Sequence, residues 1–233
     1  LENVRVSKYN LKFSGKDEHD FSSWTLDSDE IKKNVSDKTK AIVIVSPNNP
    51  TGFMPSNDEI NAIGEIAIKK NIPIIIDEVF SDYVYSENFN IPAFNNKIPV
   101  FQLNGISKML GLPQLKLSWI RLNEIAATKE IIRGLEFISD AYLSVNTPFQ
   151  SALPELLSYR NAIQNEIRER IQKNISIAHN AQNENVEFLK PKSGWYGILK
   201  FHSKSSDHLL AANLLNNAKV LTHPGYLFDL DDK

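Results

Sequence analysis

Apolar and polar positions along the chain fall into segments with distinct periods. Residues 41–45 (Ala-Ile-Val-Ile-Val) form a continuous β-branched run, which predicts a strand buried on both faces. Residues 46–52, Ser-Pro-Asn-Asn-Pro-Thr-Gly, follow as a dense cluster of turn formers. Ser56 and Glu59 have the spacing of a capping box. The helix they open carries Ile60, Ile63, Ile66 and Ala67 on one face and is ended by Asn71 and Pro73. Ile74, Ile75 and Ile76 predict a second buried strand running into Asp77 and Glu78. Residues 100–103 predict a third, running into Asn104 and Gly105, and residues 117–122 a fourth. Strand, helix and strand joined by short turns point to an α/β fold with a mostly parallel sheet flanked by helices. The stretch 78–99 holds aromatics and prolines and reads as partly irregular.

From residue 155 the period changes. Ile163, Ile167, Ile171 and Ile175 recur every four residues with charged residues between them. This predicts one amphipathic helix over 155–181, about 27 residues and roughly 40 Å long, in a packing role. A turn at 191–194 is followed by an expected strand over 195–201, a helix over 207–218 and a last strand at Val220 and Leu221. Trp195 and Tyr196 read as core aromatics. The organisation expected is a large α/β part over 1–154, a bridging helix over 155–181 and a small α+β C-terminal domain over 182–233.

Composition narrows the chemistry. The chain has 233 residues, 42% hydrophobic and 23% charged, as a globular protein has. Its 26 Lys and Arg against 28 Asp and Glu leave a net charge of -2, which argues against binding nucleic acid through bulk positive charge. No apolar run approaches the length of a membrane span. With no Cys, disulfides, thiolate catalysis and Cys metal sites are absent, and the five His form no metal-binding pair. Neither G-x-x-x-x-G-K-[ST] nor G-x-G-x-x-G occurs, so nucleotide hydrolysis and dinucleotide redox chemistry have no motif.

In open parallel sheets, ligands bind beyond the carboxyl ends of the strands. Beyond the first expected strand lie Asn48, Asn49 and Pro50, beyond the second Asp77, and beyond the third Ser107 and Lys108. An amide, a carboxylate and an amine are thereby expected at one edge. Each has a plainer reading: Asp77 as a turn acid or helix cap, Lys108 as a solvated loop lysine, Asn49 as turn chemistry before a proline.

The set 46–52, then Asp77-Glu78-Val79, then Ser107-Lys108 with Gly111-Leu112-Pro113 and Lys116, resembles the class I/II pyridoxal-phosphate aminotransferases of fold type I. The resemblance runs roughly from Tyr9 to Phe228. It implies pyridoxal 5'-phosphate as cofactor and Lys108 as the lysine that forms the internal aldimine. It implies that Asp77 pairs with the pyridine nitrogen, Asn49 hydrogen-bonds the ring oxygen, and Ser107 lies in the phosphate-binding segment. It further implies transfer of an amino group between an amino acid and a 2-oxo acid, a homodimer in the intact protein, a cytoplasmic location, and neither a nucleic-acid nor a membrane partner.

Three positions depart from the family pattern. Phe80 stands where a Tyr is usual and offers no hydrogen bond to the ring oxygen. Gly105 stands where many relatives have a phosphate-binding Ser. Lys116 replaces an Arg, giving a point charge instead of a planar fork. The family's N-terminal phosphate turn and its substrate-carboxylate Arg have no counterpart, although residues 223–228 resemble the P-G-x-x-F segment that precedes that Arg. A fragment lacking segments at both ends, with weak or no activity of its own, is therefore expected. A lyase on the same fold, the effector domain of a transcription regulator, and a relative that has lost its cofactor are the competing readings.

Overall fold

The computed structural model describes residues 4–85, 94, 97–142 and 144–230. Residues 86–93 and 95–96 of the expected irregular stretch 78–99 lie outside them. The chain opens with an antiparallel hairpin, β1 (Leu11–Lys16) and β2 (Ser22–Leu26), bulged between Phe13 and Gly15. Helix α1 (Ser28–Asn34) starts at Asp27, whose carboxylate accepts from the Asp29 and Glu30 amides. Then come β3 (Ile42–Val45), α2 (Asn57–Lys70), β4 (Ile74–Asp77), β5 (Val100–Gly105), α3 (Ile106–Met109) and β6 (Ser118–Leu122).

The sheet has the order β3-β4-β5-β6. The first three strands run parallel and β6 is antiparallel to β5, so the sheet is mostly parallel, as expected. Helix α2 covers one face. The capping box forms, and Glu59 also accepts from the Leu26 amide at 2.7 Å, tying the helix start to the hairpin. Ile60, Ile63, Gly64 and Ala67 face inward, and Asn71 ends the helix in a left-handed conformation. Ile63, Ala67, Ile74 and Ile76 are fully buried at the centre of this core, with Ile42, Ile44, Phe53 and Val100 around them.

The expectation that the first strand is buried on both faces is corrected. Burial along β3 alternates, and Val43 is 52% exposed. The physical reason is that Ile42 and Ile44 pack with Ile63 and Ala67 of α2 on one face, while Val43 lies on the other; the Tyr9 hydroxyl donates to the Val43 carbonyl at 2.8 Å.

Beyond the sheet come α4 (Thr128–Asp140), α5 (Thr147–Ser158), α6 (Arg160–Asn180), β7 (Val186–Leu189), β8 (Ile198–Phe201) and α7 (Asp207–Asn213). The single helix expected over 155–181 is in fact α5 followed by α6, parted at Tyr159. Pro154 removes one hydrogen bond within α5, and at its end the Tyr159 amide bonds the Leu156 carbonyl at 3.2 Å in a tightened turn, with the Ser158 hydroxyl donating to the Glu155 carbonyl at 2.6 Å. The expected strand over 195–201 is shortened to β8, which pairs antiparallel with β7. The expected helix over 207–218 forms as α7 and continues in wider π geometry over Leu214–Ala218. No strand forms at Val220 and Leu221: Lys219 takes a left-handed conformation and turns the chain away from an extended path. No described helix is long and apolar enough to cross a membrane.

Candidate active site

Strand register decides what meets at the sheet edge. Val45 pairs with Asp77, and Asp77 with Leu103. The backbone stays tied one residue further: the Ser46 amide donates to the Asp77 carbonyl at 3.0 Å, and the Glu78 amide to the Leu103 carbonyl at 2.9 Å. The three parallel strands therefore release their connections side by side, as the pattern of strands and turn residues implies.

The connection after β3 is held tightly. Thr51 Oγ1 donates to Asn48 Oδ1 at 2.8 Å and accepts from the Phe53 amide at 3.1 Å. Gly52 has φ +67°, and a Cβ there would lie 2.8 Å from both Pro191 Cβ and the Ser193 carbonyl oxygen. Only glycine allows this approach of the segment before β8. The Ser193 hydroxyl donates to the Gly52 carbonyl at 2.9 Å and seals the contact. Asn49 projects from this fixed loop as an exposed residue. Ser46, buried at the strand end, has a hydroxyl with no partner among the described residues.

Asp77 closes β4, half-buried. One carboxylate oxygen accepts from the Val79 amide at 3.1 Å, and the other makes no hydrogen bond among the described residues. Glu78 turns the opposite way and is buried. It accepts from Gln102 at 2.8 Å, and Gln102 accepts from Arg121 at 2.8 Å. Burial raises the Glu78 carboxyl above its ordinary value, against the lowering by Gln102 and Arg121 and with a further rise from Asp77.

Ser107 and Lys108 lie on α3, directly after β5, and both are half-buried. Gly105, which fills the position of the family's usual Ser, packs so closely that a Cβ would lie 2.8 Å from the Leu117 carbonyl oxygen and 2.9 Å from Ser118 Cα. Its φ of 178° is ordinary extended backbone, so contact alone excludes a side chain here. Lys108 Nζ lies 5.6 Å from the centroid of the Phe80 ring and 5.5 Å from that of Trp195. Phe80 is buried and meets Trp195 edge-on at 5.6 Å and Tyr196 at 6.0 Å.

Of the site residues expected from sequence, Lys108 and Phe80 are in direct proximity, and Asp77 and Ser107 sit at ends of neighbouring strands. Asn49 lies on the adjoining loop. Lys116 is exposed in a left-handed conformation just before β6, and makes no hydrogen bond or ion pair among the described residues.

The sequence reading missed several neighbours. Trp195 and Tyr196 are half-buried and exposed respectively and close on the Phe80–Lys108 pair, where a core role was expected. Tyr83 is fully buried, and its hydroxyl donates to the Lys108 carbonyl at 2.8 Å; burial pushes that hydroxyl up to about 12, so it stays a donor at any working pH. Arg160 pairs with Asp82, and Arg168 donates to the Asp82 carbonyl and lies over the Tyr83 ring. Glycine and the aromatic pair at 194–196 are the sole local signal, and nothing in sequence spacing links them to Lys108.

The family model described as Aminotransferase class I and II matches residues 1–232. Glutamate-pyruvate aminotransferase AlaA of Haemophilus influenzae is 31% identical over 219 residues, covering 89% of this chain and 54% of that protein. S-alkyl-thiohydroximate lyase SUR1 of Arabidopsis thaliana is 32% identical over 139 residues, covering 58% of this chain and 30% of that protein. Among solved structures, the alanine aminotransferase from Pyrococcus furiosus aligns with a TM-score of 0.71 at 25% identity, over 90% of this chain and 54% of that one. The chain thus spans about half the length, or less, of the relatives it matches. The match of the family model across nearly the whole chain shows that this chain belongs to the class I and II aminotransferases.

Proposed function

We propose that the intact protein transfers an amino group between an amino acid and a 2-oxo acid, using pyridoxal 5'-phosphate held through Lys108. The observation that carries this reading is the sheet edge where Asp77, with one carboxylate oxygen free of hydrogen bonds among the described residues, closes β4, and Lys108, whose amine has no hydrogen bond among them, follows the adjacent parallel strand β5. The residues present fit the cofactor chemically. Asp77 has an oxygen to offer a protonated ring nitrogen, Lys108 an amine for covalent attachment, and Asn49 an exposed amide for the ring oxygen. Ser107 and Lys116 offer a hydroxyl and a cation for the phosphate. Phe80 offers a ring face and no donor, which leaves the ring-oxygen contact to Asn49.

When bound, the cofactor supplies an electron sink for the bonds around the substrate Cα. Lys108 Nζ serves as the base that takes the proton from that carbon. Asp77 would offer its carboxylate to a cationic ring nitrogen. The Phe80 and Trp195 rings exclude water around the amine. A homodimer and a cytoplasmic setting belong to the same proposal. Exposed Ile132, Phe137, Ile138 and Tyr142 on and just after α4 offer apolar surface for a second copy.

The test is a titration of the protein with pyridoxal 5'-phosphate followed by absorbance. A protein-bound band that reverses when an amino acid donor is added, and is lost in Lys108→Ala, supports the reading. The same band in Lys108→Ala would contradict it. A lyase is the second reading, favoured by the likeness to SUR1. It predicts product formation without any 2-oxo acid acceptor, whereas transamination stops after one half-turnover unless an acceptor is supplied.

A further inference from the structure

Lys108 sits on a helix of four residues with no side-chain cap. A turn this short does not hold its own geometry, because nucleation fixes several dihedrals for few hydrogen bonds. Two distant side chains hold it instead. Tyr83 donates to the Lys108 carbonyl at 2.8 Å, and Gln164, the buried residue of α6, donates to the Met109 carbonyl at 3.2 Å. The lysine main chain is therefore fixed from two sides.

The amine is held differently. It has no hydrogen bond or ion pair among the described residues, and its neighbours are the Phe80 and Trp195 rings. Phe80 follows β4 closely and is placed by the sheet. Trp195 comes from the segment before β8 and is placed by packing: it meets Tyr83 edge-on at 5.1 Å and Phe80 at 5.6 Å. Its indole N–H is buried without a partner among the described residues, so none of them fixes the ring by a hydrogen bond from that group.

We propose that Trp195 is a positioning residue for Lys108: its ring closes the side of the amine that faces the C-terminal segment and attracts the cation to its face, leaving the amine directed along the sheet edge. The functional weight of this rests on the reading of Lys108 as the cofactor lysine. The geometry does not.

The test uses the cofactor-free chain. Competitive acetylation with acetic anhydride, mapped by mass spectrometry, gives the labelling of Lys108 relative to Lys69, an exposed lysine on α2. Trp195→Ala is expected to raise the Lys108 to Lys69 ratio about fivefold, and Trp195→Phe, which restores a ring, to keep it within about twofold of the original. If Trp195→Ala does not fold, Trp195→Leu carries the comparison, since it keeps apolar bulk without a ring face, and a rise beyond about twofold is expected. An unchanged ratio in the ring-free variant, or a ratio in Trp195→Phe as high as in that variant, overturns the proposal. Borohydride trapping of pyridoxal 5'-phosphate on the unaltered chain separates the two ideas. No adduct on Lys108, with the acetylation ratio still responding to Trp195, would sink the cofactor reading and leave the positioning role standing. An adduct on Lys108 with an unresponsive ratio would do the reverse.

Discussion

The sheet with α2 and the helices that follow it are built on the same alternation of apolar and polar residues, yet they end differently. In the first region the apolar positions close on one another: Ile63, Ile74 and Ile76 are 0% exposed. In the second, α4 and α7 bury no residue, and Phe137 on α4 is 80% exposed, while α5 packs Phe149, Leu153 and Leu156, partly buried, against Ile106 and Met109. An amphipathic pattern states that a face seeks a partner. It does not state that the partner is within the same chain. The candidate site lies where the two regions touch, with Asp77 and Lys108 supplied by the closed region and Trp195 by the other.

The sharpest way to break this comparison is to remove equal chemistry from both sides. Ile63→Ala should cost about 3 kcal/mol of stability, because it opens a cavity in a closed core. Phe137→Ala should change it by less than about 0.5 kcal/mol, because little is buried there. Denaturant midpoints compare the two directly, and equal losses would mean that α4 is packed after all. Next in size is the seam between the regions. Gly52→Ala should cost roughly 2 kcal/mol, since a left-handed residue and a clash with Pro191 and Ser193 are imposed together. It should also weaken cofactor binding, because the loop bearing Asn49 and the segment bearing Trp195 meet at that point. Wild-type stability with unaltered cofactor affinity would show that the two regions are not joined there.

The smallest effect is electrostatic and belongs to the closed region alone. Glu78 has its carboxyl raised above 4.5, chiefly by burial, so the folded chain holds that proton more tightly than the unfolded one. Stability from this group is therefore greatest at low pH. It falls as pH rises from 4.5 through the raised value, and the penalty persists above it. Glu78→Gln keeps an acceptor for Gln102 and should flatten that slope while making the protein modestly more stable at neutral pH. Stability against pH, measured for both proteins, checks the sign. A steeper slope in Glu78→Gln would contradict the burial argument.

How much of this was legible in the sequence follows from where the information lies. Buried strands, turn clusters and a capping box are local, so β3, α2, β4, β5 and β6 could be read from neighbouring residues. The side-by-side release of the connections after β3, β4 and β5 followed from parallel strand order. Exposure of Val43 was not legible, because a β-branched run looks the same whether one or both of its faces are covered. The break at Tyr159 was hidden by the regular isoleucines that continue through α6. The place of Trp195 beside Lys108 was not legible either. It depends on the contact of Gly52 with Pro191 and Ser193, which joins segments about 140 residues apart.

The measurement that bears most directly on the central claim is reduction with borohydride in the presence of pyridoxal 5'-phosphate, followed by peptide mapping. One dominant adduct on Lys108, unaffected in Lys116→Ala apart from a higher cofactor concentration for half-saturation, is the predicted result. Labelling spread over exposed lysines such as Lys69 and Lys116, with Lys108 no more reactive than they are, would contradict it.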